Sequence, residues 1–223
     1  MGIEVLFQGK VILRLLKGML VTVQISFSAI LISSVLGIAL GILMTSKNRV
    51  IKIITKVILE TVRIIPILVW LFVFFFGITK VLDIHIDAMI VSLMVFSLWG
   101  TFEIGDIVRS SITSIPKIQT ESGKAIALTS LQIKWYIILP QAAKRMIPAI
   151  INLSTRMIKT SSLISLIGVI EFVKVGQQII EVTAMQNPNS AFWIYAFLFI
   201  GFFLLCYPLS LLASHLEKKW NVS

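Results

Sequence analysis

Cysteine is almost missing from this chain, and the shortage excludes several kinds of site. Cys206 is the single cysteine among 223 residues, so neither a disulfide framework nor a thiolate metal site is available. His85 and His215 are far apart in the sequence, and His, Cys and carboxylate residues do not cluster at the spacing of metal ligands. We therefore predict no metal site and no catalytic residue, which argues against a membrane-embedded enzyme.

A phosphate-binding loop is missing as well, because the pattern G-x-x-x-x-G-K-[ST] does not occur. Any nucleotide chemistry must come from a partner, and we predict no cofactor on this chain. The formal net charge of +10 could indicate nucleic acid binding. The Lys and Arg residues, however, lie beside apolar runs and not in patches interleaved with aromatic residues. We therefore expect a membrane and no nucleic acid partner.

Apolar sequence is what the chain has in abundance, with 57% hydrophobic residues and a mean hydropathy of +0.99. Such a composition predicts an all-α integral membrane protein. About five runs are long enough to cross roughly 30 Å of hydrocarbon as helices, namely 19–44, 58–78, 88–107, 146–170 and 192–212. The segment Met1–Gly9 looks like the protease-cleavage sequence of an expression tag. Residues 10–223 are predicted to form one transmembrane domain.

The distribution of Lys and Arg predicts the orientation, because basic loops stay in the cytoplasm. The first loop has four such residues, the loop at about 113–146 with its flank has six, and the C-terminal tail has two. Each of the other two loops has one. We therefore expect the loop at 113–146, named the signature loop below, and the C-terminus to be cytoplasmic. An odd number of spans then places the N-terminus outside. Lys10, Arg14 and Lys17 oppose this orientation, and they fit an amphipathic segment at the membrane interface.

Charged and polar residues fall within the predicted spans, where a charge near the bilayer centre costs several kcal/mol. The candidates for contact with a polar solute are Glu60, Arg63, Glu103, Lys159, Ser161 and Ser162. Two alternatives remain open. Glu60 and Arg63, three residues apart, could neutralise each other on one helix face, and the serines could bond between helices. Gly168 could break or kink the helix of the fourth span.

The signature loop carries apolar residues at helical spacing, namely Ala125, Ile126, Leu128 and Leu131. This spacing predicts an amphipathic helix with one apolar face to bury. A helix that lies on the bilayer surface, with Trp135 and Tyr136 at the headgroups, is the alternative.

The same loop places Glu121, Ser122 and Gly123, then Ala127 and residues 137–140, at the spacing E-A-A-x-x-x-G-x(9)-I-x-L-P. This pattern resembles the signature loop of the membrane subunits of bacterial ABC importers. The resemblance implies two short helices joined by a tight turn, the second of which seats in a groove on the ATPase subunit. It assigns to ATPase coupling Glu121, Gly123, Ala127, Leu131, Ile133 and Pro140.

Ala127 departs from that family pattern, which has the turn glycine at this position. A Cβ at positive φ costs about 1–2 kcal/mol. We therefore expect a rebuilt turn with helical φ and ψ at Ala127, and a positive φ there would contradict this expectation.

Three further stretches are similar to the polar amino acid permeases of this family. Residues 60–66 resemble E-x-x-R-G-T-P, with Ile64-Ile65 in place of Gly-Thr. Residues 103–117 resemble E-I-x-R-G-G-I-x-S-I-P, with Asp106 in the acidic position and Ser110-Ser111 in place of the paired glycines. Residues 157–177 are similar to L-K-x-T-S-L-x-S-x-I-G-V-x-E-L. The four motifs occur in the family's order over nearly all of residues 10–223. They imply the type I ABC importer permease fold with a cytoplasmic coupling-helix loop, and a non-catalytic membrane subunit for a polar amino acid.

The resemblance also implies the surroundings of the chain. These are two ABC ATPase subunits that bind ATP and Mg²⁺, an external amino acid binding protein, a second permease copy or a paralogue, and the lipids of the bacterial plasma membrane. If Lys159 faces away, acidic candidates outnumber basic ones, which favours a cationic cargo such as arginine or lysine. The alternatives are a permease of the same superfamily for another small solute, and a stand-alone channel or ion-coupled carrier. Such carriers usually show internal repeats and have no need of an ATPase-docking loop.

Overall fold

The computed structural model of the protein describes residues 3–185 and 187–220, and within these ranges the chain is almost entirely helical. The helices in chain order are α1 (Glu4–Phe7), α2 (Val11–Met44), α3 (Arg49–Ile64), α4 (Ile67–Leu82), α5 (Ala88–Thr113), α6 (Lys117–Ala125), α7 (Ser130–Ile167), α8 (Phe172–Thr183) and α9 (Ser190–Lys219). Helix α4 includes a π-helical segment at Val73–Ile78. Helix α7 includes a π-helical segment at Ile133–Ile138 and a 3₁₀ segment at Ser161–Ile167.

Three helices, α2, α5 and α9, are long and apolar enough to cross a membrane by themselves. The pairs α3 with α4 and α7 with α8 pass the same test if each bent pair counts as one span, which gives up to five spans in the described ranges. The predicted all-α membrane architecture with about five spans is confirmed.

The second predicted span, 58–78, consists of two helices and not of the single helix expected. Helix α3 ends at Ile64, and the next two residues are extended, with ψ of 125° at Ile65 and 138° at Pro66. Pro66 has no backbone N–H, and its ring disfavours the α conformation at the residue before it. The proline therefore divides a run that is apolar enough to be read as one helix.

The fourth predicted span, 146–170, ends at the glycine that the sequence marks as a possible break. The last turns of α7 tighten into the 3₁₀ segment, and Gly168 follows with φ of 93°. A residue with a side chain rarely adopts this conformation, which glycine populates freely. The expected break at Gly168 is confirmed.

The chain divides into two compact units. Unit 1 contains the described residues of Met1–Ile30, Pro66–Phe96 and Arg156–Pro208, and unit 2 contains those of Leu31–Ile65, Ser97–Thr155 and Leu209–Ser223. Helices α1, α4 and α8 belong to unit 1, α3 and α6 belong to unit 2, and the other four helices contribute residues to both.

Unit 1 has a core of apolar side chains from α2, α8 and α9. Leu15, Phe172 and Ile194 are fully buried there, and Leu198 is nearly so. Val5 of α1 is buried in the same core. The assignment of Met1–Gly9 to an expression tag stays a prediction.

Unit 2 contains a close contact between α2 and α5 that depends on glycine. A Cβ at Gly37 would lie 2.7 Å from the Cβ of Ile104, and one at Gly41 would lie 2.5 Å from the Cβ of Val108 and 2.7 Å from the carbonyl oxygen of Gly105. Such distances are shorter than van der Waals contact, so only a residue without a Cβ fits. The small-x-x-x-small pair that the sequence shows at 37 and 41 serves packing within this chain.

Candidate functional site

A cluster of charged residues joins α3 to α5 in unit 2. The Nε of Arg63 donates to Oε1 of Glu103 at 2.9 Å, and its Nη2 donates to Oδ2 of Asp106 at 3.1 Å. The other oxygen of Asp106 accepts from Nε and Nη2 of Arg109, at 2.9 and 2.6 Å. Among the ion pairs of the described residues, Arg63 is thus held by two carboxylates of α5, and Glu60 takes no part.

These charges line a cavity of about 400 Å³ in unit 2. Its charged lining residues are Lys52, Lys56, Glu60, Arg63, Asp106 and Arg109. The volume is within the range of small-molecule sites, about 300–1,000 Å³. The side chain of Arg63 is 41% exposed, whereas that of Glu103 behind it is only 10% exposed. The cavity therefore presents charges of both signs, and its Arg63 is held by the nearly buried carboxylate of Glu103.

The structure brings together part of the predicted substrate set. Glu60 and Arg63 line the cavity, and Glu103 bonds to Arg63. Lys159, Ser161 and Ser162 belong to unit 1, where Lys159 is exposed and the two serine hydroxyls donate to carbonyls of their own helix, at 2.7 and 2.9 Å.

Sequence reasoning missed four charged residues of the cavity, namely Lys52, Lys56, Asp106 and Arg109. The two lysines counted only as loop charges in the orientation argument. Their spacing of four residues from each other and from Glu60 places all three on one face of α3, and this pattern could have identified them. Asp106 and Arg109 belong to a family-like motif, but only the contact with Arg63 shows which side chain they hold.

A second charged group, in unit 1, has a structural geometry. Glu171 is fully buried and is the N-cap of α8, where its Oε1 accepts from the backbone N–H of Lys174 at 2.8 Å. The hydroxyl of Thr22 lies 3.1 Å from its Oε2 and accepts from the N–H of Phe172 at 3.2 Å. Neutral donors thus satisfy both carboxylate oxygens, and the group ties the start of α8 to α2.

The signature loop forms α6, a tight turn, and the first turns of α7. The N–H of Leu128 donates to the carbonyl of Gly123 at 3.1 Å, and that of Ala127 donates to the carbonyl of Lys124 at 2.9 Å. This pair of bonds defines a Schellman motif, which needs a left-handed residue between them. Ala127 has φ of 59°. The rebuilt turn expected from the Cβ was wrong, because the two hydrogen bonds hold the alanine in a conformation that favours glycine.

The turn also corrects the amphipathic helix predicted from Ala125, Ile126, Leu128 and Leu131. Helix α6 ends at Ala125, and α7 begins at Ser130 with a capping box between Thr129 and Gln132. The four apolar residues therefore do not share one helix, because the left-handed turn separates them.

Helices α6 and α7 meet at Gly123, where a Cβ would lie 2.9 Å from Cγ1 of Ile133 and 3.0 Å from Cδ1 of Ile137. Ile133 is consequently only 2% exposed and faces α6. Leu131 and Trp135, which are four residues apart on α7, are 65% and 60% exposed. The outward apolar surface of this segment therefore includes Leu131 and Trp135, together with the exposed side chains of Ile126 and Tyr136, while Ile133 supports it from behind. Glu121 and Pro140 are exposed.

Comparison with known families agrees with this arrangement. Residues 37–222 match the family model described as "Binding-protein-dependent transport system inner membrane component". The chain belongs to this family. The predicted membership in the ABC importer permeases is confirmed, and the relatives in this family are permease subunits of the membrane. The family implies an ATPase and a binding protein as partners of the permease.

Individual relatives cover nearly the whole permease. A "Probable glutamine ABC transporter permease protein GlnP" of Bacillus subtilis is 29% identical over 204 residues, 91% of each chain. A "Glutamate transport system permease protein GluD" of Corynebacterium glutamicum is 31% identical over 207 residues, 92% of this chain and 74% of that one. The "L-cystine transport system permease protein TcyB" of Bacillus subtilis is 28% identical over 202 residues, 91% of this chain and 84% of that one.

A solved structure supports the fold. A chain from the "Crystal structure of an amino acid ABC transporter with histidines" matches with a TM-score of 0.83, 24% identity, and coverage of 92% of this chain and 94% of that one. At this identity the likeness shows the fold of the permease and no more. The predicted type I fold is confirmed.

Proposed function

We propose that this permease is the membrane subunit of an ATP-driven importer that translocates a polar amino acid, and that the unit 2 cavity contacts the amino acid on its way. The observation that carries the proposal is the charged lining, which places two carboxylates and four cations around one cavity of suitable size. The names of the relatives, which mention glutamine, glutamate and cystine, support the substrate class.

The chemistry of a zwitterion explains why both signs of charge are needed. An amino acid that leaves water must have its ammonium and its carboxylate satisfied. Glu60 can accept from the ammonium, and a cation of the lining can bind the carboxylate. Arg63 is oriented by Glu103 and Asp106, so its position is fixed before the substrate arrives. A contribution of Lys159, Ser161 and Ser162 stays a prediction.

Coupling to ATP hydrolysis is assigned to the segment from α6 to the start of α7. Leu131 and Trp135 form the surface that seats on an ATPase subunit, and exposed Glu121 and Pro140 flank it. The turn at Ala127 and the contact of Gly123 with Ile133 set the angle of that surface. Two ATPase subunits bind the ATP and Mg²⁺ of the reaction.

A second permease, either an identical copy or a paralogue, completes the translocation pathway, since one chain of about five spans encloses a pathway poorly. An external binding protein delivers the amino acid. The C-terminus and the signature loop face the cytoplasm of a bacterial cell, on the basis of the basic residues around them. The exposed apolar residues of α2 and α9 contact membrane lipids.

Transport by the co-purified complex in proteoliposomes, with ATP inside and labelled amino acids outside, tests the proposal. The variant Glu60→Gln should lower transport about tenfold, the effect of losing one charge-assisted contact of roughly 1.4 kcal/mol, with assembly and ATPase activity retained. Glu181→Gln, at an exposed residue in the last turn of α8, is the matched control. Unchanged transport by Glu60→Gln contradicts the site. Uptake without ATP would instead support a channel or carrier, and uptake of no amino acid would support another solute.

Docking has its own test, because Leu131 is exposed whereas Ile133 is buried. Leu131→Asp should detach the ATPase from the purified complex and leave the fold of the permease intact. Val182→Asp, another exposed apolar residue, should keep the ATPase bound. Full stoichiometry and coupled ATPase activity in Leu131→Asp would show that the docking surface lies elsewhere.

A further inference from the structure

The cavity of unit 2 carries more positive than negative charge, contrary to the cationic cargo expected from the sequence. Four of its lining residues are cationic, namely Lys52, Lys56, Arg63 and Arg109, and two are carboxylates, Glu60 and Asp106. The excess arises from the two lysines of α3, which the sequence argument left out of the site.

Part of this charge is already compensated inside unit 2. Arg63 and Arg109 carry two positive charges, and Glu103 and Asp106 carry two negative ones. Asp106 is shared by both guanidinium groups, and Glu103 binds Arg63. The four side chains therefore form a group with no net charge, which orients Arg63 and leaves little attraction for a further ion.

The remaining charges of the lining are those of Lys52, Lys56 and Glu60. None of the three takes part in an ion pair of the described residues. They follow one another at intervals of four residues along α3, so they lie on one face with about 6 Å of rise between neighbours. This wall of the cavity thus presents two ammonium groups and then one carboxylate.

We propose that the cavity selects an acidic amino acid, a proposal that rests on the proposed function of this site. The charges of such a ligand, two carboxylates and one ammonium, are the complement of the free charges on α3. Its ammonium binds Glu60, its α-carboxylate binds Lys56, and its side-chain carboxylate binds Lys52. A neutral polar amino acid leaves Lys52 without a partner, and a cationic side chain is repelled by Lys52.

The alternative role of these lysines is to anchor the cytoplasmic end of α3, as basic residues beside a span usually do. Lys47 provides the matched control for this role. It is exposed, it precedes α3 in the same basic connection, and it is absent from the cavity lining. A charge that acts only through the membrane surface has the same effect at Lys47 and at Lys52.

The test is equilibrium binding of labelled L-glutamate, L-glutamine and L-arginine to the full chain in lipid nanodiscs. Glutamate should bind about fivefold more tightly than glutamine, the ratio that one partly exposed ion pair provides, and arginine should bind more weakly than both. Lys52→Gln should bring the ratio of glutamate to glutamine affinity close to one, while Lys47→Gln leaves it unchanged. Glu60→Gln should weaken binding of all three ligands and keep the preference for glutamate.

Four results would overturn the inference. Tighter binding of glutamine or arginine than of glutamate, or an unchanged ratio in a folded Lys52→Gln variant, refutes the acidic ligand and leaves a polar amino acid importer in place. An equal loss of preference in Lys47→Gln assigns the effect to the membrane surface. Binding of none of the three, together with no amino acid transport by the complex, refutes the proposed function as well.

Discussion

Unit 1 and unit 2 each contain a buried glutamate, and the two glutamates have opposite kinds of partner. Glu171 in unit 1 is satisfied by neutral donors, a backbone N–H and the hydroxyl of Thr22. Glu103 in unit 2 accepts from the guanidinium of Arg63, whose side chain is 41% exposed. The first arrangement fixes a helix end, whereas the second presents a charge to a cavity. Burial of a carboxylate therefore does not identify a functional site until its partners are known.

The partners also decide how much each glutamate contributes to the stability of the fold. An N-cap stabilises a helix by about 0.5–2 kcal/mol. Glu171 contributes this stability only while its carboxylate stays at the start of α8. A pair that contains a half-exposed guanidinium is screened by water and contributes little to stability. Removal of Glu171 should thus act on folding, and removal of Glu103 should act on transport.

The largest effect should follow from Glu171→Ala. This change leaves the backbone N–H of Lys174 at the start of α8 without its cap and creates a void, so we expect a loss of about 3 kcal/mol in the free energy of unfolding. The fall in melting temperature of the purified permease measures it. If the variant melts like the wild-type protein and instead loses selectivity, Glu171 is not a structural group and the contrast between the units fails.

The next effect in size should be that of Glu103→Gln on transport. Asp106 still holds one arm of Arg63 in this variant, so the fold should persist while the guanidinium loses its fixed orientation. Transport by the complex should fall about tenfold, or roughly 1.4 kcal/mol, and the melting temperature should change little. Wild-type transport and unaltered selectivity in Glu103→Gln would end the case for a charged intramembrane site.

A smaller effect sharpens the description of Glu171. Thr22→Val removes the hydroxyl that serves both Glu171 and the N–H of Phe172, at an almost unchanged volume. We expect a loss of about 1 kcal/mol in stability, the lower end of the usual cost of leaving buried polar groups unsatisfied. Thr22→Ser keeps the hydroxyl and is the control. Equal melting temperatures for the valine and serine variants would mean that the hydrogen bonds at Glu171 do not matter.

The smallest effect concerns a strained residue that touches neither glutamate. Ala127→Gly should stabilise the permease by about 0.5–1 kcal/mol, because glycine adopts the left-handed conformation without the penalty of a Cβ, less the greater entropy of glycine in the unfolded chain. Thermal unfolding measures the gain, and Ala125→Gly within α6 should do the reverse. A destabilised Ala127→Gly variant would show that the turn is not strained.

The sequence carried enough information for the helices and for two of the six charged residues that line the cavity. Apolar runs and family-like motifs predicted the spans, the break at Gly168, and the residues Glu60, Arg63 and Glu103. The contacts between helices were not readable, because spacing along one helix does not show which neighbour faces it. For this reason we considered an ion pair between Arg63 and Glu60, although the partners of Arg63 lie some 40 residues away on α5.

The predictions of the Ala127 conformation and of one amphipathic helix in the signature loop were wrong for a related reason. The spacing of the apolar residues does not show the turn between α6 and α7. Hydrogen bonds to carbonyls of α6 impose the conformation of this turn, and they cannot be inferred from the alanine at position 127. The resemblance assigned Ile133 to ATPase coupling together with Leu131. Its burial against Gly123 became visible only when both helices were in place.

The glycine contact between α2 and α5 links an apolar helix to the charged side chains of the cavity. Asp106 lies between Gly105 and Val108, the two residues of α5 against which Gly41 packs. Any side chain at position 41 must push this turn of α5 away, and the carboxylate that positions both arginines turns with it. A methyl group outside the cavity can therefore change the positions of the charges that line the cavity. Relatives that share every charged residue but differ at this glycine are consequently the ones in which to look for altered selectivity.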